Sequence, residues 1–110
     1  MKIKPGGYPN SINLGSNGVV PVAIFGSATF DVRQIDPATI KLASASVKLK
    51  GNGQLAVSYS DVNRDGFTDI IVNASTEALQ LTATDVKAGL EGKLFGGTII
   101  KGSDSIRIVP

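Results

Sequence analysis

The 110-residue chain contains no cysteine, no histidine and no tryptophan, and each absence removes a class of chemistry. Without cysteine there is neither a disulfide framework nor a thiolate metal site. Without histidine the commonest general base and the commonest transition-metal ligand are both gone. Any metal site must then be built from oxygen alone, which favours hard cations over zinc or copper. No Ser-His or Cys-His pair can exist, and the glutamates are Glu77 and Glu91 alone. A carboxylate pair for glycoside chemistry would have to be assembled from these and scattered aspartates, and Glu91, beside Gly92 and Lys93, reads as a solvated face residue. The chain is therefore expected not to be an enzyme. Long apolar runs are missing too, so no membrane span is expected. The formal charge is +2, with Lys and Arg dispersed along the chain, which is unlike a nucleic-acid-binding stripe.

What is present suits a single domain over residues 1–110. Hydrophobic residues make up 42% of the chain, enough for a core without staples. Thirteen Gly and five Pro, spread between short apolar runs, predict strands joined by tight turns. Strands are expected at Ile3, at Ser11–Leu14 and at Val19–Phe25, the last with a bulge or an edge at Pro21, which has no N–H to donate. Asp36-Pro37 predicts a turn leading into Ile40–Leu42. Val47–Lys50 should turn back at Gly51-Asn52-Gly53 into Gln54–Ser60, where Leu55, Val57 and Tyr59 alternate with smaller residues and are expected to face the core. The β-branched run Ile70-Ile71-Val72 follows. Ala88–Leu94, Thr98–Ile100 and Ser105–Val109 complete the set, separated by turns at Gly96-Gly97 and Lys101-Gly102-Ser103. Ser75–Leu81 predicts one turn of helix with Ser75 as its cap. The sum is an all-β, antiparallel β-sandwich, immunoglobulin-like or jelly-roll-like, of about eight to ten short strands.

Between two of these strands lies Asp61-Val62-Asn63-Arg64-Asp65-Gly66-Phe67-Thr68-Asp69. Ca²⁺ takes about six to eight oxygen ligands, and EF-hand-type loops supply them from positions 1, 3, 5, 7 and 9. Here those positions are Asp61, Asn63, Asp65, the carbonyl of Phe67, and Asp69, with Gly66 at the bend where a Cβ would be in the way. Aspartates this close repel one another unless a cation neutralises them. Asp-Gly turns are common on any surface; a five-position match is much harder to reach by chance. Position 12, a bidentate Glu in an EF-hand, is Val72, and strands replace the flanking helices. Asp31 and Asp104, expected in polar turns, can each offer a further ligand from outside the loop, with turn capping as their plainer role.

The loop resembles those of integrin-type propeller repeats and, more loosely, of dockerins, although a single copy does not make a propeller. More of the chain carries a second resemblance: Ile3–Gly6, Pro9–Leu14, Gly18–Ile24, Ile35–Ile40, the Asp61 loop and Gly102–Ile108 are similar to a small accessory module of secreted bacterial and archaeal hydrolases and surface proteins. That resemblance implies an extracellular, non-catalytic module whose neighbours are other domains of a larger secreted protein. Met1–Gly6 has no hydrophobic signal segment, which leaves a cytosolic protein or an excised module as readings, and the excised module is the expectation. A low-affinity Ca²⁺ loop is filled outside cells.

The expected function is thus a calcium-binding structural spacer or adhesion segment. The alternative is a carbohydrate-binding module that takes a polysaccharide, for which exposed rings are the usual platform. Tyr8, in a Gly/Pro loop, is the first candidate platform and Phe67 the second.

Overall fold

The computed structural model describes residues 1–7 and 10–109. Among them, strands form as β1 (Lys2–Ile3), β2 (Ser11–Ile12), β3 (Val19–Ile24), β4 (Ile35–Leu42), β5 (Ala45–Ser46), β6 (Val57–Ser60), β7 (Asp69–Ser75), β8 (Lys87–Leu94), β9 (Ile99–Ser105) and β10 (Arg107–Ile108). One sheet has the order β1-β3-β7-β6 and the other β5-β4-β8-β9, while β2 and β10 form a separate parallel pair. The fold is all-β and sandwich-like. Period-2 alternation explains which side chains meet. Val20, Val22 and Ile24 of β3 and Ile70, Val72 and Ala74 of β7 turn inward, and Ile40, Leu42, Ala88 and Leu90 come from the other sheet. Burying each large aliphatic side chain contributes about 1.5–3 kcal/mol. No helix among the described residues is long and apolar enough to cross a membrane.

Pro21 is accommodated without a bulge. The β3–β7 register runs unbroken, with Pro21 opposite Asn73. The missing N–H faces the point where β1 ends. Lys4 donates its amide to the Pro21 carbonyl at 2.7 Å, and the Lys4 carbonyl accepts from Gly7 at 3.1 Å, closing a turn. The Asp36-Pro37 turn, by contrast, sits inside β4 as an irregularity. Asp36 pairs with Lys93 and Lys41 with Glu91, and the excursion is tied by the Thr39 hydroxyl donating to the Asp36 carbonyl at 2.7 Å.

Several expectations need correction, among them the strand read at Val47–Lys50, which is reduced to lone bridges at Val47 and Leu49. The turn at Lys101–Ser103 does not form, because β9 pairs continuously with β8 from Ile99 to Ser105. The strand read as Gln54–Ser60 is only Val57–Ser60, with Leu55 held by a lone bridge to Leu49. Ser75 precedes a 3₁₀ turn at Thr76–Ala78 but makes no side-chain cap bond.

Candidate metal centre

The Asp61 loop is the connection of the β6–β7 hairpin, entered after Ser60 and left at Asp69, which pair with each other. Its own side chains shape it. Asp61 accepts from the amide of Gly66 through Oδ2 at 2.8 Å and from that of Asp65 through Oδ1 at 3.2 Å. Asp65 Oδ1 accepts from the Phe67 amide at 3.0 Å, and Asn63 Nδ2 donates to Asp65 Oδ2 at 3.2 Å. Gly66 has φ +88°, the left-handed conformation expected of the bend, and Arg64 shares it at +58° without the freedom of glycine. Arg64 points to no ligand role and is exposed.

Asp69 differs from the rest of the loop. Its relative exposure is 0%, and its hydrogen-bonding partners are two backbone amides, Gly26 to Oδ1 and Val62 to Oδ2, both at 2.9 Å. The carboxylate thus brackets the start of the loop to the segment that follows β3. Gly26 is required there, because a Cβ at that position would lie 2.2 Å from the Thr68 carbonyl oxygen.

An oxygen that accepts one amide keeps a second lone pair, and Asn63, having donated through nitrogen, keeps its Oδ1. The oxygens of Asp61, Asn63, Asp65 and Asp69 and the Phe67 carbonyl therefore suit a hard cation by donor type. Among the described residues, no group of three or more acidic side chains converges into a metal-holding cluster; the loop carboxylates accept from loop amides, Asp65 also from the Asn63 side chain and Asp69 also from Gly26.

The remaining candidates separate. Phe67 is 40% exposed, as a platform requires, whereas Tyr8 lies outside the described residues. Tyr59, expected in the core, is also 40% exposed. It faces the same side as its partner Ile70, but β6 is the edge of the sheet. What lies over its ring is Arg33, with the guanidinium carbon 5.9 Å from the centroid. Asp31 caps the 3₁₀ turn Val32–Gln34, accepting from the Arg33 amide at 2.9 Å. Glu91 is exposed, as a solvated face residue should be.

Asp104 is not in a turn but in β9, where it accepts from the Ile3 amide and from Asn10 Nδ2, each at 2.9 Å. Asn10, almost fully buried, also donates to the Ser105 carbonyl at 2.8 Å and accepts from Lys2 Nζ. Partial burial pushes the Asp104 carboxyl up. The amides of Ile3 and Ser105, the Asn10 side chain and the Lys2 charge outweigh that and hold it below the ordinary 3.8. This knot and the Asp69 bracket were not read from sequence. Asp69 gave one signal, an acidic residue abutting an apolar strand; Asn10 and Asp104 are too distant in sequence to give any.

No family model matches the chain, and neither a curated protein nor a solved structure does.

Proposed function

We propose that this is a non-catalytic, extracellular accessory module in which Ca²⁺ staples the β6–β7 hairpin, the module serving as a spacer or adhesion segment of a larger protein. One observation carries the reading. A single hairpin connection bends around Asp61 and Gly66 and ends on Asp69, whose buried carboxylate is bonded by amides and, among the described residues, by no charged group. Burying a carboxylate without a counter-charge is costly, and a cation in the adjoining loop would offset that cost. Asp61, Asn63, Asp65, the Phe67 carbonyl and Asp69 would hold it, and the all-oxygen donor set supports calcium over softer metals.

The mechanism is mass action. An ion that binds only the folded loop stabilises it by RT ln(1 + [L]/Kd), about 1.4 kcal/mol at tenfold Kd. For a domain of this size that is a rise of several degrees in melting temperature. The flanking strands leave no helix pair to swing open, so the ion is a fixed element and not a switch. Calorimetric titration with CaCl₂, beside thermal melts in calcium and in EDTA, tests the reading. A saturable heat and a lower melting temperature in EDTA are expected; silence in both experiments would sink it.

A further inference from the structure

Beyond the staple, we infer that the open cleft beside the loop is a subsite for a neutral polysaccharide chain. The cleft has a volume of about 330 Å³ and is lined by Ser27, Phe30, Asp31, Arg33, Phe67 and Thr68 among others. Two segments distant in sequence build it, the stretch after β3 on one side and the end of the loop on the other. The Gly26 amide on Asp69 and the close approach of Gly26 to Thr68 fix their separation. The cleft is therefore a consequence of the fold and not of a mobile loop tip.

Its chemistry matches a sugar. The exposed ring of Phe67 offers an apolar face to the C–H face of a pyranose. Arg33 is a planar group that only donates, and Asp31 one that only accepts. Sugar hydroxyls do both and satisfy the two together. The hydroxyls of Ser27 and Thr68 add further adaptable partners. The opposite charges of Arg33 and Asp31 cancel, so neither an anionic nor a cationic sugar is favoured. The volume is at the small end of ligand sites, which start at about 300 Å³, and suits roughly one or two rings. Tyr59, outside the cleft, lies under the Arg33 guanidinium, its ring centroid 5.9 Å from the guanidinium carbon, and supports that group at the cleft wall.

Amide chemical shifts of the ¹⁵N-labelled protein, followed while adding cellohexaose, xylohexaose, mannohexaose, maltohexaose or hexagalacturonate, provide the test. At least one neutral oligosaccharide should move the amides of Arg33, Phe67 and Thr68 saturably. Arg33→Ala and Phe67→Ala should each weaken that binding about tenfold or more, with Arg33→Ala leaving the melting temperature within about 2 °C of the parent. The inference is overturned if no neutral member of the panel moves these amides, if only the galacturonate binds, or if binding survives both substitutions. Repeating the titration in EDTA separates the two readings: saccharide binding by a chain that shows no calorimetric response to calcium supports the cleft while the staple fails.

Discussion

Substitution of Asp69 distinguishes a structural bracket from a simple metal ligand. The wild-type carboxylate is fully buried and takes two amides at 2.9 Å, from Gly26 and Val62. Hydrogen bonds to a charged group contribute about 1.5–3 kcal/mol each. Asp69→Ala removes both and leaves two donors unpaired, for a loss of about 3–6 kcal/mol. Set against the stability of an ordinary domain, about 5–15 kcal/mol, that is a large share, so the alanine variant is expected to be strongly destabilised. Asp69→Asn is the more informative change. Its single carbonyl oxygen can accept one amide, while its NH₂ must confront the other, so one bond is lost and two donors are set against each other. A cost of about 2–4 kcal/mol follows. Urea denaturation followed by far-ultraviolet circular dichroism in EDTA measures it with the ion removed. Asp65→Asn is the control: exposed, and bonded within the loop alone, it should cost under about 1 kcal/mol in EDTA yet weaken calcium binding in the titration. An Asp69→Asn variant within about 0.5 kcal/mol of wild type in EDTA would refute the bracket.

Gly26→Ala places a methyl 2.2 Å from the Thr68 carbonyl; with backbone on both sides, the expected loss in urea denaturation is about 1–3 kcal/mol or more, against almost none for Gly51→Ala, where the space is open. The Asp104 carboxyl is held below 3.8 in the folded chain, so it binds protons less readily there than when unfolded. Its contribution is complete above the unfolded value and is lost as the pH falls below 3.8 toward the folded value; urea midpoints from pH 5 to pH 2.5 should fall less steeply in Asp104→Asn. Arg64, at φ +58°, should accept Gly without loss, whereas Arg64→Val, β-branched in a left-handed conformation, should cost about 1–2 kcal/mol by the same denaturation assay.

How much was legible depended on how local the information was. The hairpin connection from Asp61 to Asp69, the strand that follows it and the all-β class rest on spacings within a dozen residues and could be read directly. The period-2 pattern of Val57 and Tyr59 gave the correct face for Tyr59 but not its exposure. Alternation reports direction within a sheet, while burial depends on whether the second sheet reaches that edge. Lys101-Gly102-Ser103 looked like a turn from composition, yet pairing along the whole of β8 overrode it. Gly26 could not be distinguished from other loop glycines, since its requirement comes from the Thr68 carbonyl of a distant segment. The cleft escaped for the same reason, its two walls lying more than thirty residues apart in sequence.

The parallel pairing of β2 with β10 also bears on how the chain can assemble as it is made. Arg107 lies opposite Ser11, and the Ile3 amide finds its Asp104 acceptor 101 residues later. While the early strands emerge from a ribosome, β2 has no partner and the Asn10 side chain no acceptor. Contacts this distant fold slowly and leave edges unpaired meanwhile. The pairing of β2 and the bonds of Asn10 to Asp104 and Ser105 are therefore expected to form late, after residues 104–109 have left the ribosome.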